Sequence, residues 1–156
     1  MASKRATILQ YLKDTLLPGI CTDSGYNFDL ATVERGHRNP RTMGDHEFPA
    51  VFITATQERR KNLTANQFMA DPLQVVLVGY VKNSKDSADA SGTGAQEDLD
   101  KLIEDITKAL ETDRLQGDRV KWTEITDIAT DEGDLSPVAG CVISVSFTYV
   151  SEGVNP

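Results

Sequence analysis

The amino-acid sequence predicts an α+β fold, in which a mixed or antiparallel sheet of about five strands carries two helices on one face. Two segments place apolar residues at helical spacing with polar residues opposite them. Five others are rich in β-branched residues or alternate apolar with polar residues. They follow in the order αβββαββ, and each helix has a single apolar stripe, so one shared core buries both stripes. No repeat or linker divides positions 1–156, which predicts a single domain.

The first predicted helix spans residues 3–17. Ser3 suits its N-cap, and Pro18 with Gly19 ends it. Its apolar stripe, which faces the predicted core, consists of Ile8, Leu9, Leu12 and Leu16.

Three strands are predicted between the two helices, at residues 26–33, 50–58 and 73–82. The first alternates apolar with polar residues, which is typical of a half-buried strand. The second is rich in β-branched residues. The third contains four consecutive apolar residues, Val75 to Val78, which favour a central place in the sheet or cover on both faces.

The second predicted helix spans residues 95–111, and strands follow it at residues 120–128 and 138–150. Its apolar stripe consists of Leu99, Leu102, Ile103, Ile106, Ala109 and Leu110. Glu104 and Asp105 fall on the polar side. A carboxylate pair can perform acid–base chemistry when burial separates the two pKa values. Here lysines at i, i+4 spacing favour a solvated face instead.

Three projecting loops are predicted, at residues 35–48, 57–70 and 83–94. The first combines glycine, proline, histidine and charge without periodicity. The second is polar, and it either continues a hairpin or forms a loop. The third has no anchoring apolar residue, so we expect it to be mobile.

Composition excludes several function classes. The chain has 24 acidic and 16 basic residues, a net charge of −8, which argues against a protein that grips nucleic acid through its phosphates. No apolar run is long enough to span a bilayer, and the N-terminal segment lacks the apolar stretch of a signal peptide. Cys21 and Cys141 match no metal or redox spacing, and a disulfide between them is unsupported, so a reducing cytoplasm is the expected compartment.

Two weak patterns suggest ligand chemistry. His37, His46 and Glu47, with Asp45 beside them, are residue types that bind divalent metals, but their spacing fits no known ligand pattern. Residues 92–94, Gly-Thr-Gly, precede a helix as phosphate-binding loops do, yet they lack the lysine of a P-loop. Solvated loops are the favoured interpretation of both.

Two basic clusters in this acidic chain are stronger candidates. They flank the predicted strand at residues 50–58 and consist of Arg35, Arg38 and Arg41, and of Arg59, Arg60 and Lys61. Charged loops on a rigid sheet commonly present a binding surface. Against an acidic partner, or the acidic face of another copy, they would steer docking. We therefore take these six residues as the candidate subunit or partner interface.

Five segments together resemble a known family. They are the opening helix ending in Leu-Leu-Pro at residues 16–18, the strand FPAVFIT after a charged loop, the strand LQVVLVGYVK, the helix DLDKLIEDITKAL and a last strand ending in VSFTY. This pattern is similar to that of the tail terminator (tail-completion) proteins of tailed bacteriophages. It covers most of the chain but contains no catalytic fingerprint, and small neck proteins share similar patterns.

The resemblance implies a structural virion protein rather than an enzyme, with no metal or cofactor. Such a subunit forms a ring, usually of six copies, that caps the tail tube, ends its polymerisation and docks the head connector. The implied partners are further copies of the chain, the tail tube protein and the connector, with DNA passing through without specific binding. The protein is expected in the virion, assembled in the host cytoplasm. Alternatives are another neck, connector or tube protein, or a small metal-dependent enzyme using the loop with His37 and His46.

Overall fold

Six strands and two helices build the part of the chain that the computed structural model describes: residues 4–62, 67–82, 93–117, 120–131 and 138–152, with the backbone alone at 4, 56–62, 67–72, 93–95 and 150–152. In chain order they are α1 (Lys4–Tyr11), β1 (Thr32–Arg35), β2 (Ala50–Asn62), β3 (Gln67–Lys82), α2 (Thr93–Thr112), β4 (Trp122–Thr130), β5 (Val138–Thr148) and β6 (Val150–Glu152). The strands lie in the order β1-β2-β3-β5-β4, and β6 pairs with one end of β3. β1 is parallel to β2 and the remaining pairs are antiparallel, which confirms an α+β fold with a mixed sheet.

One face of the sheet carries both helices. Side chains alternate across a strand, so every second residue of β3 and β5 points to this face. These residues form one buried cluster with the stripes of α1 and α2; its largest members from the four elements are Leu73, Leu77, Ile143, Phe147, Ile8, Leu9, Leu99 and Leu102. The predicted shared core is therefore present.

The first helix is shorter than predicted. α1 is followed by a single π turn, Leu12–Leu16, in which the N–H of Leu17 donates to the carbonyl of Leu12 at 3.0 Å. The change of pitch keeps both Leu12 and Leu17 fully buried. Ser3, the predicted N-cap, lies outside the described residues.

The predicted strand at residues 26–33 is mostly wrong. Only Thr32–Arg35 pairs with the sheet, as β1. The residues before it form an irregular segment that packs against the helical core through Tyr26, Phe28 and Leu30. Their alternation reflects partial burial against helices, not pairing with a neighbouring strand.

The segment predicted as a loop at residues 57–70 continues the β2–β3 hairpin. β2 and β3 pair from Ala50↔Tyr80 to Asn62↔Phe68, with register shifts between Ala55 and Arg59. Residues 63–66 lie outside the described ranges. Of the two interpretations of this segment, a continued hairpin or a loop, the structure shows the hairpin.

The segment predicted as a projecting loop at residues 35–48 lies instead against the second face of the sheet. Two short 3₁₀ turns, Pro40–Thr42 and Asp45–Glu47, bring Met43 and Phe48 onto a small second cluster. The strand residues of this cluster are Ala50, Phe52, Tyr80 and Val138, with Val78 at its margin. Cover on the second face is therefore present at one end of β3. Most of the third predicted loop lies outside the described residues, and its last two positions, Thr93 and Gly94, belong to α2.

Candidate interaction surfaces

The first basic cluster is held largely by contacts within its own segment. Arg38 donates to Glu47 at 3.0 Å and to Glu34 at 3.4 Å. The hydrogen bond to Glu47 raises the pKa of Arg38. The pKa of Glu47 is lowered by the N–H of Gly44 and by Arg38. Arg38 therefore closes the 35–48 segment on itself, while Arg35, at the start of the segment, and Arg41, in its first 3₁₀ turn, are exposed.

The second basic cluster lies within β2. In the register of the hairpin, Arg59 pairs with Asp71, Arg60 with Ala70 and Lys61 with Met69. Arg35 is opposite Ile53, six residues before Arg59 along β2, and at about 3.3 Å per residue this separates the backbone of these two residues by roughly 20 Å. Along the backbone, the structure thus does not bring Arg35 and Arg59 side by side.

Two of the candidate metal ligands, His37 and Glu47, are engaged with other partners. His37 lies 2.6 Å from the hydroxyl of Tyr80 through Nε2, and its ring meets Phe52 edge-on at 5.9 Å. Glu47 is bound by Arg38 and Gly44. Across the described ranges, no three His, Cys, Asp or Glu side chains are placed to hold a metal ion.

Tyr80, which contacts His37, and the nearby Asp131 form a polar cluster that the sequence pattern did not predict. Burial, followed by the fields of Cys141 and Asp131, raises the pKa of Tyr80, so this hydroxyl stays protonated and is suited to donating a hydrogen bond rather than acting as a base. Both carboxylate oxygens of Asp131 are buried, and they accept no hydrogen bond within the described part of the chain. The sequence does not reveal this arrangement, because it depends on strand register. Tyr80 is opposite Gly140 of β5, and the carbonyl of Gly140 accepts a hydrogen bond from the N–H of Asp131.

Asp105 is not a solvated residue, contrary to the sequence interpretation, whereas its neighbour Glu104 is exposed as expected. Only 1% of Asp105 is exposed. Its carboxylate accepts hydrogen bonds from the backbone N–H groups of Asn27 and Phe28 at 2.9–3.0 Å and from the Asn27 side chain at 3.1 Å. Lys108 adds a bond to the carbonyl of Gly25 at 3.1 Å. These contacts fasten the irregular segment before β1 to α2, which is a structural role.

The outer side of β4 is a second surface that sequence reasoning missed. Trp122, at its start, is 49% exposed, and the guanidinium of Arg114 lies 4.8 Å from its ring centre. Ile128 of β4 is also exposed, as is Val142 of β5, which is opposite Ala129 of β4. A cleft of about 130 Å³ lies between the end of α2 and β4, lined by Leu110, Glu111, Arg114, Thr123, Glu124 and Ile125. It is smaller than the pockets that enclose small-molecule ligands, so a macromolecular contact suits this surface better.

The two cysteines are free thiols in different settings. Cys21 is partly exposed, and Cys141 is buried in the helix-side core. Burial raises the pKa of the Cys141 thiol to about 11. The thiol is therefore poorly suited to nucleophilic chemistry near neutral pH.

The raised pKa of Cys141 predicts a loss of stability at alkaline pH. The unfolded chain ionises this thiol from its ordinary pKa near 9.0, whereas the folded chain holds the proton to about 11. Between these pH values the folded state binds more protons than the unfolded state. The contribution of the protonated thiol to the free energy of unfolding is therefore complete below pH 9 and falls by roughly 2–3 kcal/mol towards pH 11. Urea unfolding of the wild type and Cys141→Ala across pH 7–11 measures it. We expect the difference between the two proteins to change across that window, and a constant difference would contradict the assignment.

No helix in the described ranges is long and apolar enough to cross a membrane. In comparisons with known proteins, no family model matches this chain, and no curated protein gives a significant match.

Proposed function

We propose that this protein is a tail terminator subunit of a tailed bacteriophage. It would form a ring, of six copies as in the family it resembles, that caps the tail tube, ends tube polymerisation and docks the head connector. The support is the sequence resemblance together with a fold whose described residues present interaction surfaces. The chain acts in the virion, after assembly in the host cytoplasm, without catalytic chemistry of its own.

The observation that carries this proposal is that the sheet is open at two different edges. On one side, β1 pairs only with Ala50–Ile53, so no described strand covers the rest of β2. On the other side, β4 ends the strand order, and no described strand pairs with its outer side. A subunit with two unlike edges favours heterologous contacts, which close into a ring when the rotation permits.

The charge balance suits a ring through which DNA passes. The chain carries 24 acidic against 16 basic residues, and an acidic protein repels a polyanion. Passage without specific binding therefore accompanies the proposed role.

A tail tube subunit is the second candidate, because heterologous edges that do not close produce an open polymer. The two candidates differ in what happens when a tube protein is present. A terminator binds once at the tube end, whereas a tube subunit is incorporated along the whole length.

Electron microscopy of the purified protein, alone and added to the polymerising tube protein of the same phage, tests the proposal. We expect closed rings alone, and shorter tubes that each carry one ring at an end. Tube length should fall as the ratio of this protein to tube protein rises. Tubes of unchanged length without an end ring would overturn the proposal, and label distributed along the tubes would favour the tube subunit.

A further inference from the structure

We propose that the outer edge of β2, residues 54–62, pairs with the outer edge of β4, Trp122–Thr130, in a second copy of the chain. This β-strand addition would join neighbouring sheets around the assembly. The inference rests on the proposed function for its ring but identifies the partner and the strands.

The two edges match in length. Nine residues of β2 extend beyond its pairing with β1, and β4 is nine residues long. At about 3.3 Å per residue each edge spans roughly 30 Å. An unpaired edge of this length offers a row of backbone donors and acceptors, which strand addition satisfies.

The two edges also have opposite charge. Residues 54–62 carry three basic residues, Arg59, Arg60 and Lys61, against the single acidic Glu58. β4 carries Glu124 and Asp127 and no basic residue; Lys121 and Asp131 flank it. Pairing two β2 edges would oppose positive charges, and pairing two β4 edges would oppose negative ones. Charge therefore disfavours the two isologous arrangements and favours the heterologous one.

Exposed apolar side chains also lie along the β4 edge, on both faces of the sheet, because Trp122 is opposite Thr148 whereas Ile128 is opposite Ile143 of the helix-side core. Within the described part of the chain, the large hydrophobic residues that are exposed are Leu115, Trp122, Ile128 and Val142. Two of these lie on β4, and Val142 is opposite Ala129 on the adjacent strand. An aromatic residue with an arginine stacked on it is typical of interface hot spots.

Reversal of charge on each edge tests the pairing. The first variant is Arg59→Glu with Arg60→Glu, and the second is Glu124→Lys with Asp127→Lys. We expect each to raise the subunit concentration needed for assembly at least about tenfold in light scattering coupled to size exclusion, because like charges then face each other. A chain with all four substitutions should recover assembly, since the charges are again opposite. The matched control is Glu97→Lys with Glu104→Lys on the exposed side of α2, which should assemble as the wild type does.

A proline substitution separates strand addition from charge attraction alone. The N–H of Asp131 donates to the carbonyl of Gly140 of β5 at 2.9 Å. By alternation, the N–H of Ile128, three residues earlier, points away from β5. Ile128→Pro removes an outward donor, and an edge strand tolerates such a residue. We expect a folded monomer by circular dichroism.

Several results would overturn the inference. They are failure of the fourfold variant to assemble, assembly of either double variant at the wild-type concentration, normal assembly of a folded Ile128→Pro chain, and a wild type that stays monomeric both alone and with tube protein. Tube length is read separately. Rings that follow the charge pattern without shortening tubes support this pairing and contradict the terminator role, and the opposite result contradicts the pairing alone.

Discussion

Replacing Asp105 with alanine is expected to lower the free energy of unfolding by about 2–4 kcal/mol. The substitution removes the acceptor for the backbone N–H groups of Asn27 and Phe28 and for the Asn27 side-chain amide. Hydrogen bonds to a charged acceptor are stronger than neutral ones, and partly buried donors without a partner cost further stability. Asn27 is exposed, so water replaces part of what is lost. Urea unfolding should show a lower midpoint with an unchanged slope.

Two variants make this result specific. Glu104→Ala changes the adjacent, exposed carboxylate, and we expect it to stay within about 0.5 kcal/mol of the wild type. Asp105→Asn keeps one carbonyl acceptor without the charge and should fall between the wild type and Asp105→Ala. A stability of Asp105→Ala equal to that of Glu104→Ala would show that the segment before β1 is not held by this carboxylate.

The same contact explains why the first predicted strand was mostly wrong. Alternation of Tyr26, Phe28 and Leu30 predicts a strand because a half-buried segment and a strand both expose every second side chain. Backbone N–H groups need partners, and in a strand these are normally supplied by a neighbour. Here Asp105, which is 77 positions away from Phe28, supplies them. No local pattern contains information about such a distant partner.

The helix containing Asp105 shows how far periodicity can be used. The stripe from Leu99 to Leu110 correctly predicted which side of α2 faces the sheet. Asp105 lies at the flank of that stripe, where burial depends on whether another segment covers it. The irregular segment before β1 does cover it, and only the tertiary structure reveals that.

Strand ends were harder to predict than strand centres. The apolar centres of β2 and β3 were predicted from composition, but their extensions are polar, and their pairing depends on the partner strand rather than on burial. This affected the candidate interface directly. Arg59 to Lys61 were assigned to a loop or hairpin, and the structure places them on a strand edge. Arg38, by contrast, could not be recognised as internally paired, because Glu34 and Glu47 meet it only after the segment folds.

The β4 edge carried no sequence signal as an interface. Trp122 and Ile128 read as ordinary apolar strand positions, since alternation does not show which strand lies last in the sheet. Exposure became visible only with the strand order. The acidic residues Glu124 and Asp127 likewise become candidates for an interface only once β4 is known to be the last strand of the sheet.

Gly79→Val is the second substitution with a large expected effect, a loss of about 2–3 kcal/mol by overpacking. Gly79 lies in β3 opposite Cys141 of β5. A Cβ atom there would approach Cys141 Sγ and Leu102 Cδ2 to 3.0 Å and Ile106 Cδ1 to 3.6 Å. Valine otherwise favours a strand more than glycine does, so a loss of stability would reflect crowding against Cys141 of β5 and against the side chains of α2.

A double-mutant cycle with Leu102→Ala tests whether crowding against α2 causes this loss of stability. Leu102 is fully buried, and its truncation alone should cost about 2–5 kcal/mol because it leaves a cavity. In the double variant the valine fills part of that cavity, so we expect the combined loss to be at least about 1 kcal/mol smaller than the sum. Leu12→Ala, on the π turn after α1, is the matched control and should combine additively with Gly79→Val. Additive losses in both cycles would contradict the close packing of α2 on β3 at Gly79.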